Sequence, residues 1–276
     1  KIIIFILVIA TLGAGVYFRD DVVRYYNGFG NQVKDVVEKE IFAPAPLKAG
    51  GLETKIVLLQ SKIISETNLQ RQQNGNLPEL KENTRLNEAA SAKASDILQN
   101  QYFEHVSPSG VDPGKLVQQY GYEYIVAGEN LILGNFKDEK EVVQDWMDSP
   151  GHRANILNNR YSEIGVAIVK GTYKGETVWV GVQEFGLPLA TCEEPNVILK
   201  NQIDSQKTQL NTLSSQIDEK RKQIENTVQD SPVYSQMVDD FNKLVVQYNS
   251  LTEQVKQNIS TFNNQVNNFN ACVAGK

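Results

Sequence analysis

The sequence is poor in the residues that build metal and redox centres. It has two cysteines, Cys192 and Cys272, which excludes a Cys-rich zinc site and a dense disulfide scaffold. It has two histidines, His105 and His152, so any imidazole chemistry uses one or both. Positive charge is not in excess: 27 Lys and Arg stand against 33 Asp and Glu, for a net charge of −6. That balance lacks the basic face of a nucleic-acid binder, and no nucleic-acid partner is expected. Nine Pro and 19 Gly are too few for a collagen-like or low-complexity chain. What remains, 41% hydrophobic and 22% charged residues in a chain of 276, is globular in composition. At about 150 residues per domain it predicts roughly two domains.

One long apolar run is present. Ile2–Phe18 carries no charge, and its seventeen residues would reach about 25 Å as a helix, near the lower limit for crossing a bilayer. No small-x-small cleavage site stands out, and Tyr17 and Phe18 abut Arg19 as an interfacial belt would. Residues 1–18 therefore read as a transmembrane anchor or uncleaved signal, with the remainder outside the cytoplasm. Residues 19–51 read as a juxtamembrane stalk that ends in an extended linker, Ala43-Pro-Ala-Pro-Leu-Lys-Ala-Gly-Gly51.

Residues 52–190 have a different texture. Helices are predicted over 56–73, 87–101, 115–120 and 138–147, the second from Leu86, Ala90, Ala94, Ile97 and Leu98 on one face. Two β-rich runs, 164–169 and 177–185, flank the turn-forming Lys170-Gly-Thr-Tyr-Lys-Gly175, a hairpin signal. Helices followed by a β-hairpin predict an α+β domain with helices covering a sheet.

Residues 191–276 change again. Met237, Phe241, Leu244, Tyr248, Leu251, Val255, Ile259, Phe262, Val266 and Phe269 step by threes and fours, a heptad seam with one skip. Ile203, Leu210, Leu213, Ile217, Ile224 and Val228 form a weaker stripe upstream, and Gln229-Asp-Ser-Pro232 separates the two. The pattern predicts a long antiparallel helical hairpin of coiled-coil type. The turn near Asp230 lies almost midway between Cys192 and Cys272. In such a hairpin the two ends meet, so a Cys192–Cys272 disulfide is expected on an oxidising side of a membrane; two unrelated buried thiols are the other reading.

Both histidines lie beside chain breaks. His105 follows a helix and enters Val-Ser-Pro-Ser-Gly110, and His152 follows Ser149-Pro-Gly151. Between them, Glu129 sits in Ala127-Gly-Glu-Asn-Leu131 among small and apolar neighbours, where a carboxylate needs a partner. Two imidazoles and a carboxylate serve a metal, general acid–base chemistry or a structural polar network, and spacing alone does not choose.

His105-Val-Ser-Pro-Ser-Gly110, Gly128-Glu-Asn-Leu131, Trp146-Met-Asp-Ser-Pro-Gly-His-Arg-Ala-Asn-Ile-Leu157, Glu163-Ile-Gly-Val166 and Gln183-Glu-Phe-Gly186, in this order, resemble the bacterial branch of the CAP superfamily, the SCP-like domain of cysteine-rich secretory, antigen 5 and pathogenesis-related proteins. The resemblance covers residues 62–187. It implies an α-β-α sandwich whose cleft is lined by two histidines and two acidic residues and sometimes holds a divalent metal such as Zn or Mg. His105, Glu129 and His152 match three of the four. Asp148, with Asp145 beside it, is the nearest candidate for the fourth, and His105 and His152 are the candidate metal ligands. Ser107 and Ser109 sit in a turn and no Gly-x-Ser-x-Gly elbow exists, so no nucleophile is evident.

The expectation is a membrane-anchored, extracytoplasmic binding module at the cell surface. Its cleft takes a small ligand, lipid or peptide, and its hairpin meets a protein or envelope partner. The alternative is a metal-assisted hydrolase or peptidase acting on envelope or extracellular substrates. A carboxylate between two histidines would raise both imidazole pKa values.

Overall fold

The structure is a computed structural model that describes residues 39–51 and 56–275. The expected anchor of residues 1–18 and most of the expected stalk lie outside the described residues. Among the described residues, no helix is long and apolar enough to cross a membrane. The chain divides into a compact unit that ends at Cys192 and another that begins at Glu193.

The first unit is an α+β fold on a mixed sheet of six strands. The strands are β1 (Glu40–Phe42), β2 (Leu47–Lys48), β3 (Lys81–Glu82), β4 (Tyr124–Gly134), β5 (Glu163–Tyr173) and β6 (Glu176–Pro188). β4 and β6 are antiparallel, as are β5 and β6, while the short β1 and β2 lie parallel to the outer edge of β4. The hairpin expected around residues 170–175 is present but tighter. The strands run on to Tyr173 and resume at Glu176, and Lys174 and Gly175 take φ of 50° and 88°. Both positive angles suit a two-residue turn whose twist matches the strands.

Helices cover both faces. They are α1 (Gln60–Gln73), α2 (Thr84–Asn100), α3 (Pro113–Gln119), α4 (Glu139–Asp148) and α5 (Pro150–Ile156). Local chemistry sets their starts. Asn83 accepts from the backbone N–H groups of Arg85 and Leu86, Asp112 caps α3 ahead of Pro113, and Asp138 caps α4. On one face Ala90, Ala94 and Ile97 of α2 pack on Leu131, Leu133, Ala167, Val180 and Val182. On the other, Ile132, Ile168 and Gly181 face Trp146 of α4.

β4 was not expected as a strand. All eleven of its residues are buried, so it shows no alternation of polar and apolar positions. The linker reading of residues 43–51 is also corrected. Residues 40–42 and 47–48 pair with β4, and the Ala49 N–H donates to Leu133 O at 2.8 Å. This strap caps a strand edge that would otherwise be open.

The second unit contains α6 (Val197–Glu225) and α7 (Tyr234–Val273). The Asn196 N–H donates to Gln265 Oε1, and Asn258 Nδ2 to Gln206 Oε1, both at 3.0 Å, so the helices run antiparallel. The buried seam of α7 is Phe241, Val245, Tyr248, Thr252, Val255, Ile259, Phe262 and Val266. These positions alternate steps of four and three without a skip. Leu244 and Leu251, expected in the seam, flank it half-buried, and Val228 is exposed. Neither cysteine is free: Cys192 and Cys272, the only two in the chain, are disulfide-bonded.

Candidate functional site

The site forms where β4 passes through Glu129 and Asn130. Alternation along the strand sends these side chains to opposite faces. Directly across on β6 they meet Glu184 and Gln183.

On the Glu129 face, His105 Nδ1 lies 2.5 Å from Glu129 Oε1 and His105 Nε2 bonds the carbonyl oxygen of Pro44 in the strap. Both ring nitrogens are therefore engaged, one by a carboxylate and one by a backbone carbonyl. Lys93 of α2 holds the turn that presents the ring. Its buried Nζ donates to the carbonyls of Glu104 at 2.8 Å and His105 at 2.6 Å, and to Tyr102 OH at 3.2 Å. Burial pulls the Lys93 ammonium below the usual lysine pKa, while Glu129 and Glu184 work against that shift.

Glu184 is the acidic neighbour that sequence reasoning missed. It is fully buried, and burial foremost, then the charge of Glu129, raises its carboxyl pKa well above the ordinary value. Glu129 Oε2 and both oxygens of Glu184 find no donor among other groups. The proton that burial keeps on Glu184 supplies one: the two side chains hydrogen-bond, with Glu184 donating. The available signal was a charge between Val182 and Phe185 in a β-rich run.

On the opposite face, α5 brings in His152. Its Nδ1 lies 2.8 Å from Ser149 Oγ, and its carbonyl accepts from Asn130 Nδ2 at 3.2 Å. The expected upward shift is wrong for this residue. Burial, helped by the positive charge of His105 and opposed by a Leu131 backbone contact, pushes its pKa down to about 4. His152 is therefore neutral at pH 7. Asn155, three residues on, is a structural hub. Its Nδ2 donates to Phe42 O at 3.1 Å, Asn130 Oδ1 at 3.0 Å and Glu129 O at 3.3 Å, and its Oδ1 accepts from Tyr161 OH. Arg71 of α1, wholly buried, donates to the carbonyls of Ile156 and Asn158 and fixes the C-terminal end of α5.

Asp148 is not part of this arrangement. It is exposed and accepts from Gln144 Nε2 at 2.7 Å. Asp145 lies on the same helix and lines a shallow groove beside residues 47–50. A divalent ion does not fit the candidate ligands as they stand. Both ring nitrogens of His105 are already engaged, and among the described residues no group of three His, Cys, Asp or Glu is placed to hold a metal. Behind Lys93, a groove of about 290 Å³ opens between α2, α3 and the turn after His105, lined by Lys93, Asp96, Tyr102, Ser107, Val111 and Tyr120. Ser107 Oγ is engaged with Ser109 Oγ and the Val111 N–H, as a turn former.

A sequence model of CAP, the cysteine-rich secretory protein family, matches residues 64–183. The uncharacterised protein YkwD of Bacillus subtilis (strain 168) is 40% identical over 111 residues, 40% of this chain and 42% of that protein. The uncharacterised membrane protein YlbC of the same organism is 30% identical over 114 residues, 41% of this chain and 32% of that protein. The chain thus spans less than half the length of the curated relatives it matches. An extracellular SCP-domain protein from Bacillus anthracis str. Ames aligns over 46% of this chain and 39% of its own, at 29% identity and a TM-score of 0.40. Over residues 64–183, with the ordered motifs at His105, Glu129, His152 and Gln183–Gly186, this chain is similar to the CAP family.

Proposed function

We propose that this is a membrane-anchored, extracytoplasmic protein whose CAP domain binds a ligand and does not turn it over. One observation carries the reading: the polar groups on the Glu129 face are engaged with one another, while the buried His152 Nε2 on the other face has no hydrogen-bond partner. Both nitrogens of His105, the Lys93 ammonium and the Glu129–Glu184 pair have partners, and no activated nucleophile stands beside them. A hydrolase needs a base or nucleophile free to reach its substrate. The groove behind Lys93 offers room for a small molecule, a lipid tail or a peptide. The disulfide, the apolar run of residues 2–18 and the membrane-protein name of the relative YlbC support an extracytoplasmic location. The strict four-three seam of α7 supports a coiled-coil arm that docks a protein or envelope partner.

A hydrolase is the second reading, favoured by the same carboxyl pair. Two buried carboxyls sharing a proton are an arrangement that acid–base catalysts use. The test incubates the folded chain with casein, purified peptidoglycan and phospholipid vesicles, and follows both products and the His105 ring resonances. The binding reading expects no product and a saturable shift of those resonances by one of the three. Product that disappears in Glu184→Gln would replace it with the hydrolase.

A further inference from the structure

The strap of residues 40–49 lies against the domain as a bound peptide lies in a receptor. None of its side chains is fully buried, although the strand it covers is buried throughout. Its hold is mainly through its backbone. β1 and β2 give three and two paired positions along β4, and between them the register shifts by one, so residues 43–46 bulge beside Glu129–Leu131. Pro44 and Pro46 have no N–H to donate, and a bulged edge is where a sheet tolerates them.

The site spends its side-chain donors on this bulge. Asn155 Nδ2 reads the carbonyl of Phe42, and His105 Nε2 reads the carbonyl of Pro44, two residues on. Donors placed on alternate carbonyls are the recognition chemistry of an extended peptide added to a sheet edge. The strap's side chains are seated on glycines. A Cβ at Gly114 would lie 2.3 Å from Ile41 Cδ1, one at Gly151 would lie 2.6 Å from Pro44 Cβ, and one at Gly134 would lie 2.9 Å from Ala49 Cβ. The receiving surface is thus cut for an apolar residue followed three positions later by a proline.

We propose that the outer edge of β4, between His105 and α5, is a binding site for an extended proline-containing peptide, and that residues 40–49 occupy it in cis. This deepens the binding-module reading and rests on it: the ligand class is a peptide, and the chain carries its own competitor. A tethered segment competes at an effective concentration on the order of millimolar, so a peptide in trans enters only when the strap is loosened.

The probe is a dye-labelled peptide of residues 39–49, measured by fluorescence anisotropy against three forms of the full chain. The wild type is expected to bind it weakly. Ile41→Asp with Pro44→Asp, which weakens the strap and leaves the receiving edge intact, is expected to bind at least tenfold tighter. Adding Gly151→Ala to that variant is expected to lose the gain, because the new Cβ occupies the place of the proline ring. A loosened chain with native circular dichroism that takes the peptide no better than wild type overturns the proposal. If the loosened chain does not fold, hydrogen exchange on the wild type decides. The Ala49 amide is expected to exchange at least tenfold faster than β4–β6 ladder amides, through a local opening that does not involve global unfolding. Exchange only at the global rate makes the strap a permanent strand and overturns the proposal. If a vesicle or peptidoglycan titration still shifted the His105 resonances in that case, the binding reading would stand and the peptide inference alone would fall.

Discussion

Protonating His152 and ionising Glu184 both work against the fold, at opposite ends of the pH scale. The folded pKa of His152 lies below its ordinary 6.5, so the unfolded chain takes the proton first. Stability is full above about 6.5 and falls as pH drops towards 4, by up to roughly 3 kcal/mol from this group. Thermal unfolding of the sheet unit between pH 7 and 4 should show that slope, and His152→Gln should flatten it. Glu184 has the reverse sign. Its folded pKa is raised, so its contribution is full below the ordinary carboxylate value and is lost as pH rises through the folded value. Glu184→Gln keeps a donor towards Glu129 and removes the charge that must be suppressed. It should raise the melting temperature of that unit near pH 8 by a few degrees, as expected for about 1 kcal/mol. A lower melting temperature would show that the shared proton stabilises more than its burial costs. At this scale the sequence pointed to His105, Glu129 and His152, which stand beside breaks or in apolar company, and the structure pairs the first two. Glu184 was not legible, because its partner is fixed by strand register across 54 intervening positions that no local pattern encodes.

Elements were readable where burial is one-sided. The seam of α7 shows this: one face is apolar, the period is plain, and only its phase was misjudged, with Val245 and Thr252 inside and Leu244 and Leu251 on the flank. That phase sets the ranking of truncations. Phe241→Ala should cost about 3–5 kcal/mol of hairpin stability, and Leu251→Ala clearly less, by chemical unfolding followed at 222 nm. Thr252 lies in the seam with its hydroxyl unpartnered, so Thr252→Val, which keeps the shape, should stabilise the hairpin by about 1 kcal/mol in the same assay. Where burial is two-sided or absent, the pattern is silent. β4 is buried on both faces and has no period, whereas the strap has no buried face and reads as a linker. Its place is set by Asn155, His105 and three glycines that are distant in sequence.

At the scale of the whole molecule, two compact units share one covalent tie beyond the chain itself. The Cys192–Cys272 bond closes a loop of about 80 residues, worth roughly 4 kcal/mol in the chain-entropy account. The units have separate cores. The hairpin buries one stripe between α6 and α7, whereas the sheet unit buries both faces of β4 beneath five helices. The two spectroscopic reporters also separate. Trp146 and Trp179, the chain's only tryptophans, are both buried in the sheet unit, while most of the helix among the described residues lies in α6 and α7. Replacing both cysteines with serine should therefore lower the thermal transition seen at 222 nm and leave the tryptophan fluorescence transition within a degree or two. The His152-dependent acid slope should persist, because it belongs to the sheet unit. Equal shifts of the two signals would mean that the units unfold as one, and that the disulfide stabilises the site as well as the arm. A shift confined to 222 nm makes the hairpin the redox-sensitive part, dependent on an oxidising compartment while the sheet unit is not.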